Sequence, residues 1–110
     1  MRNPMAVSIT KENFVHEIEN ESMPIVMDVF ASWCGPCKLM EPHFAALEKK
    51  LKDTYKFVKL NVDEGRDISI KYGITSVPTF LFIHNNHVKG KVTGYMSEAD
   101  LKAKIEEFLG

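Results

Sequence analysis

Two cysteines, Cys34 and Cys37, are the residues whose type and spacing most directly suggest chemistry. They lie in Trp33-Cys34-Gly35-Pro36-Cys37, between an apolar, β-branched run typical of a strand and a stretch with helical periodicity. At such a junction, unpaired N–H groups and the positive end of the helix dipole stabilise a thiolate, the species that attacks disulfides. Cysteines three residues apart on one helical face can also close a disulfide. The motif therefore predicts dithiol–disulfide exchange.

The two cysteines are expected to have different roles. Cys34 is nearer the free end of the helix, so it is assigned as the attacking thiolate. Cys37 is one turn further in and should be more buried, and it would resolve the mixed disulfide. Gly35 lets a substrate sulfur approach closely, and Pro36 suits a first helical turn because it lacks an N–H. Both also affect the strain difference between dithiol and disulfide.

A structural zinc half-site is the alternative use of such a cysteine pair. A complete site needs two more ligands, and the four histidines offer no second pair at zinc-finger spacing. His43 lies on the following helix, His84 and His87 flank a hairpin, and all four, including His16, are expected at the surface or at edges. The sequence therefore favours redox chemistry without a metal.

Asp28 interrupts an otherwise apolar strand, six residues before Cys34. A run that is apolar on both sides implies a strand buried on both faces. Burial raises the pKa of a carboxylate, so Asp28 could take up or return the Cys37 proton. The alternative is a solvated, outward-pointing residue. Lys59 is either a partner that tunes Asp28 or a solvated lysine.

Hydrophobic periodicity predicts an α/β fold, in which four helices flank a central mixed sheet of five strands. Strands are expected near residues 6–8 and over 24–31, 55–62, 77–83 and 88–93, and helices over 11–20, 36 or 37 to 52, 66–72 and 98–109. The βαβαβα order of the first six elements implies parallel pairing. The last two strands are joined by only four residues, too few for a crossover, so they should form an antiparallel hairpin. Helix faces expected to be buried carry Phe14, Val15 and Ile18 in the first helix and Leu39, Met40, Phe44, Leu47 and Leu51 in the second.

Length and composition exclude several function classes. The 110 residues, 45% apolar and 26% charged, suit one domain over residues 1–110. With 14 basic and 15 acidic residues the formal charge is −1, and no basic run is clustered, which disfavours nucleic-acid binding. Residues 1–8 contain no apolar core of signal-peptide length, and later apolar runs are strand-sized, so we expect a cytoplasmic protein without a membrane segment.

An ordered set of motifs resembles the thioredoxin family over about residues 6 to 109. The matching segments are Asp28, Trp33-Cys34-Gly35-Pro36-Cys37-Lys38, Pro42, Lys59-Leu60-Asn61-Val62-Asp63, Tyr72-Gly73-Ile74, Val77-Pro78-Thr79 and Gly94. The resemblance implies the thioredoxin fold and a protein disulfide reductase that cycles Cys34–Cys37 between dithiol and disulfide. Thioredoxins are themselves a known case of a C-x-x-C thiol activated in this way. The chain departs from the family pattern at two sites. Val29-Phe30 stands where the family usually has an aromatic pair, often with a second Trp, so Trp33 is the only Trp; and Asn85-Asn86 replaces the common Asn-Gly turn.

The resemblance also implies a substrate surface. The family bond that matches Val77–Pro78 is cis and lies against the disulfide, although Pro78 alone could be an ordinary strand start. Val77 would present backbone groups to an extended substrate. A mostly apolar docking surface would comprise Trp33, Gly73, Ile74, Val77 and Gly94. For Trp33 the alternative is a buried core position.

The same resemblance implies the electron source and partners. No bound cofactor is needed, because electrons would come from NADPH through a flavin-dependent thioredoxin reductase. Targets would be disulfide proteins such as ribonucleotide reductase, peroxiredoxin or methionine sulfoxide reductase, and the chain would be a monomer. Two alternatives remain: an oxidase or isomerase, which Gly35-Pro36 disfavours, and a non-catalytic binding subunit.

Overall fold

The computed structural model describes residues 6–110, so the first five residues of the predicted N-terminal segment lie outside the described structure. The strands are β1 (Val7–Ser8), β2 (Ile25–Phe30), β3 (Lys56–Asn61), β4 (Thr79–His84) and β5 (His87–Thr93). The helices are α1 (Gly35–Leu51), α2 (Arg66–Lys71) and α3 (Glu98–Leu109), preceded by a π-helical turn over Val15–Glu19.

The strands form one five-stranded sheet in the order β1-β3-β2-β4-β5. β3 pairs in parallel with β1 and β2, whereas β4 is antiparallel to both β2 and β5. The predicted mixed sheet with four flanking helical elements is therefore confirmed. Asn85 and Asn86 turn the β4–β5 hairpin with φ of 53° and 63°, the left-handed backbone that a tight two-residue hairpin requires.

β5 is an edge strand with an irregular register. Phe82 lies opposite Gly90 and Ile83 opposite Val88, so Lys89 is an extra residue in the ladder. At Gly90 the ring of Phe108, on α3, occupies the space that a Cβ would need. This glycine therefore allows the end of α3 to pack closely against the edge of the sheet.

Alternation along the strands divides the core between the two faces of the sheet. One cluster joins the π-helical turn and α2 to the sheet, and its buried residues are Ile9, Phe14, Ile18, Ile25, Met27, Val29, Val58, Leu60, Ile68, Leu81 and Ile83. The other cluster joins α1 and α3 to the opposite face through Val26, Met40, Phe44, Leu47, Tyr55, Phe57, Phe80, Phe82, Leu101 and Ile105. Because Asp28 is two residues from Val26, it points towards α1.

Two details of the helices differ from the expectation. Thr10 accepts a hydrogen bond from the Asn13 N–H at 3.2 Å, as a cap would, but the regular helix is only the π-helical turn, and Val15 is 54% exposed. In α1 the buried stripe runs through Cys37, Met40, Phe44 and Leu47. Leu39 lies off that stripe and is 66% exposed, so its predicted burial is wrong.

Candidate active site

Cys34 ends the short loop between β2 and α1, and Cys37 lies in the first turn of α1. The two cysteines form a disulfide with 5.3 Å between their Cα atoms. Cys34 is the N-cap residue of α1, with extended backbone, and Pro36 lies in the first turn. The Cys34 Sγ accepts a hydrogen bond from the Cys37 N–H at 3.2 Å. A helix N-terminal N–H directed at this sulfur favours a thiolate over a thiol once the disulfide is reduced.

The expected difference in burial between the two cysteines is not observed, because each is 5% exposed. Both cysteines pack with Ala31 in one small cluster, and the half-buried Phe30, Val62 and Val77 pack against it. What distinguishes the cysteines is their neighbours: Cys34 follows the exposed Trp33, whereas Cys37 lines a cavity beneath α1.

That cavity, the Asp28 cavity, has a volume of about 240 Å³. Its lining residues are Asp28, Phe30, Ala31, Ser32, Cys37, Lys38, Glu41 and Lys59. The cavity therefore brings together Cys37, Asp28 and Lys59. These are the predicted resolving cysteine, its predicted proton acceptor and the lysine expected either to tune Asp28 or to be solvated.

Asp28 is 2% exposed, so the solvated alternative is wrong. Among the described residues, its Oδ1 atom has no hydrogen-bond partner. Burial raises the pKa of Asp28 from 3.8 to about 7, while the positive charge of Lys59 lowers it and the negative charge of Glu41 raises it. A carboxyl group with this pKa can both accept and return a proton near neutral pH.

Lys59 lies opposite Asp28 in the parallel register of β2 and β3. Its ammonium group is 3.3 Å from Glu41 Oε2 and 4.7 Å from the centre of the Phe30 ring. Sequence reasoning missed Glu41. The available signal was its spacing, since Cys37 and Glu41 are four residues apart and therefore lie on one face of α1.

On the other side of the disulfide the chain forms a shallow groove, the Trp33 groove, of about 370 Å³. Its lining residues are Trp33, Val62, Ser69, Ile74, Thr75, Ser76 and Val77. The peptide bond between Val77 and Pro78 is cis.

Gly73 and Gly94 do not line the Trp33 groove but adjoin it. Gly94 donates its N–H to the Pro78 carbonyl at 2.8 Å, and Gly73 ends α2 just before Ile74. Both have positive φ, 66° at Gly73 and 100° at Gly94, a backbone that favours glycine. They therefore shape the loops around the groove rather than its floor.

Trp33 is 70% exposed, so the alternative of a core position is wrong. Its indole Nε1–H donates to Asp63 Oδ2 at 3.0 Å. Asp63 is held in turn, because its N–H donates to Asn61 Oδ1 at 2.9 Å. Sequence reasoning assigned no role to Asp63. Its position two residues after β3 was the available signal, since β2 and β3 are parallel and end at the same edge.

Residues 6–110 contain no group of three or more His, Cys, Asp or Glu side chains that could hold a metal ion. His43 Nε2 lies 2.9 Å from the hydroxyl of Tyr95, and His87 Nδ1 lies 2.9 Å from the carbonyl of Asn85. In the same part of the chain, no helix combines the length and apolar character needed to cross a membrane.

The sequence is similar to those of known thioredoxins. The sequence profile of the Thioredoxin family matches residues 5–107. "Thioredoxin" of Rickettsia felis is 35% identical and aligns with 88% of this chain and 92% of its own. "Thioredoxin" of Borreliella burgdorferi is 34% identical, over 96% of this chain and 99% of its own. "Thioredoxin M-type, chloroplastic" of Pisum sativum is 40% identical, over 78% of this chain and 50% of its own. The chain therefore belongs to the thioredoxin family of thiol–disulfide oxidoreductases.

Proposed function

We propose that Cys34 is the attacking thiolate of this disulfide reductase and that Cys37 resolves the mixed disulfide. Reductase function itself follows from family membership and the redox-active cysteine pair. The observation that carries the assignment is the position of Cys34 at the N-cap of α1, where its sulfur accepts a backbone hydrogen bond next to the exposed Trp33.

The cycle has two exchange steps. In the first, the Cys34 thiolate attacks one sulfur of the substrate disulfide, a Cys34–substrate bond forms, and the other substrate sulfur leaves as a thiolate. In the second, Cys37 gives up its proton and attacks Cys34, and the second substrate sulfur leaves as a thiolate. Two electrons pass from the dithiol to the substrate, and a Cys34–Cys37 disulfide remains.

Asp28 is the acceptor of the Cys37 proton in this proposal, and it returns that proton when the disulfide is reduced again. Two features support this role: both residues line the Asp28 cavity, and the raised pKa of Asp28, about 7, lets the carboxyl group change state near neutral pH. Lys59 would tune Asp28, since its charge opposes the effect of burial on the pKa. Because nothing lies within 4 Å of where a Cβ of Gly35 would be, this position is open to an approaching sulfur, and we assign Gly35 and Pro36 to the tuning of the redox equilibrium.

The substrate would lie as an extended segment along the Trp33 groove, with Val77 offering backbone groups to it. Trp33, Ile74 and Val77 line this groove, and Pro78, Gly73 and Gly94 hold the loops that border it. The apolar character of these side chains suits contact with apolar residues next to a substrate cysteine.

Family membership implies disulfide-containing protein substrates and no cofactor held by the protein itself. More specifically, we propose that NADPH supplies electrons through a flavin-dependent thioredoxin reductase. Ribonucleotide reductase, peroxiredoxins and methionine sulfoxide reductases are the kinds of target expected. We further propose that residues 1–110 act as one domain, as a monomer, in the cytoplasm, where a lone C-x-x-C pair remains reducible.

An insulin-reduction assay with NADPH and a thioredoxin reductase tests the proposal. The parent protein should accelerate disulfide reduction, and Cys34→Ser should abolish it. Cys37→Ser should instead accumulate a mixed disulfide with insulin, because the first exchange step remains possible. Equal reduction by Cys34→Ser and the parent, or a mixed disulfide that forms through Cys37, would contradict the assignment.

A further inference from the structure

We propose that Glu41 is a positioning residue of the exchange site: it holds the Lys59 ammonium group at the edge of the Asp28 cavity and so keeps it from pairing with the Asp28 carboxylate. The proposal extends the role assigned to Asp28, and its functional consequence rests on that role.

Asp28 and Lys59 do not form the ion pair that their positions allow. Asp28 and Lys59 are opposite each other on neighbouring strands, and both point to the α1 face of the sheet. Opposite charges on neighbouring strands and on one face of a sheet attract each other. Among the described residues, however, no ion pair joins them, and Asp28 Oδ1 has no hydrogen-bond partner. Lys59 pairs with Glu41 instead, at 3.3 Å.

The second observation is how Lys59 is held. Its ammonium group lies 4.7 Å from the centre of the Phe30 ring, so an aromatic face and the Glu41 carboxylate attract it together. The Lys59 side chain is 21% exposed and that of Glu41 is 64% exposed. The pair therefore lies at the solvent side of the cavity, while Asp28 lies at its buried end, 2% exposed.

The third observation concerns the other charges around Asp28. On α1, Lys38 and Glu41 line the cavity with Cys37, which is uncharged in the disulfide. β3 contributes Lys59, and β4 places the apolar Phe80 opposite Asp28. Glu48, further along α1, also interacts electrostatically with Lys59. Of the acidic side chains in residues 6–110, Glu41 is the one that both contacts Lys59 and lines the cavity.

Removing the Glu41 charge should therefore lower the pKa of Asp28 in two ways. Lys59 is released and can approach the Asp28 carboxylate, which favours the ionised form. The repulsion between Glu41 and ionised Asp28 also disappears, and this again favours ionisation. For a partly solvated charge we expect the pKa of Asp28 to fall by about half a unit.

The direct test is a ¹³C NMR titration of the Asp28 carboxyl group in the oxidised protein, where Cys37 does not titrate. Glu41→Gln should lower the pKa of Asp28 by about half a unit, and Lys59→Gln should raise it. In a Lys59→Gln background, Glu41→Gln should have a smaller effect. Glu106→Gln is the matched control, because Glu106 is 58% exposed and pairs with Lys102 on α3, away from the cavity. An Asp28 titration that Glu41→Gln leaves unchanged or raises would overturn the proposal.

The functional readout is the pH dependence of insulin reduction with excess reductase. In Glu41→Gln the acidic limb of the profile should move to lower pH by the same half unit, because Asp28 ionises at lower pH. If the Asp28 titration moves and the profile does not, Glu41 has no part in exchange and the proposal fails. If none of the proteins reduces insulin, the proposed function fails, while the NMR titration still decides whether Glu41 positions Lys59.

Discussion

The two sides of the Cys34–Cys37 disulfide are built from different chemistry. The Trp33 groove has an uncharged lining in which apolar side chains stand beside serines and a threonine, and its largest residue, Trp33, is 70% exposed. The Asp28 cavity is lined by two carboxyl groups and two lysines, and Asp28 is 2% exposed. Under the proposed function, binding and proton transfer would use separate sets of residues, so changes on each side should alter different kinetic constants.

The largest expected difference is in cysteine reactivity. At neutral pH, iodoacetamide should label Cys34 in the reduced protein at least about twentyfold faster than Cys37, since the rate follows the thiolate fraction. The two cysteines are equally exposed in the disulfide form, at 5%, so their exposure there gives no reason for unequal rates. Mass spectrometry of the labelled peptides would measure the ratio. Equal labelling, or faster labelling of Cys37, would remove the functional distinction between the two sides.

The next largest effect should come from Asp28→Asn, which removes the proposed proton acceptor. We expect kcat for insulin reduction to fall about tenfold at neutral pH with little change in KM. Steady-state kinetics over several insulin concentrations would show this. A mutant that reduces insulin as fast as the parent would mean that the Cys37 proton goes elsewhere.

The same substitution should make the protein more stable. The folded-state pKa of Asp28, about 7, lies above its ordinary value of 3.8, so the folded protein binds this proton more tightly than the unfolded chain. The group therefore favours folding at low pH, and that stability is lost as pH rises from about 4 to about 7. Asp28→Asn should raise the free energy of unfolding by about 3 kcal/mol at pH 8 and by less at pH 5. Urea unfolding at both values would measure it, and destabilisation at pH 8 would contradict the account.

The smallest effect should come from the Trp33 groove. Trp33→Ala should raise KM for insulin about threefold and leave kcat nearly unchanged, because the residue contributes contact area and not proton transfer. Leu39→Ala is the matched control, since Leu39 is 66% exposed but lies on α1 outside the groove. A loss of kcat in Trp33→Ala would mean that Trp33 does more than contact the substrate, and an equal rise of KM in the control would mean that the effect is not specific to the groove.

Most of the fold could be predicted because its signals are local. The four-residue connection predicts the hairpin, and apolar spacing predicts α3, whose N-cap Ser97 accepts from the Asp100 N–H at 3.1 Å. The burial of Asp28 was also predictable, because β2 is apolar on both sides of it. Such patterns depend on neighbours within one element, which the sequence displays directly.

The rest depends on contacts between elements that are distant in the sequence. The pairing of Glu41 with Lys59 needs the position of α1 above β3, and the bond from Trp33 to Asp63 spans 30 residues. The cysteines are also packed against by Val62 and Val77, which come from other parts of the chain. Leu39 is apolar but lies off the buried stripe of α1, so its apolar character alone mispredicts its burial.

The irregular register of β5 limits the pairing of this sheet edge with unfolded chains. An exposed strand edge can pair with any extended segment, which leads to aggregation. Here Lys89 is an extra residue in the ladder, and Lys91 follows it on the same edge strand. Bulges and lysines discourage strand addition at an edge. This edge is therefore poorly suited to strand addition, so under the proposed function an extended substrate segment would be held at the loop of Val77 and not along β5.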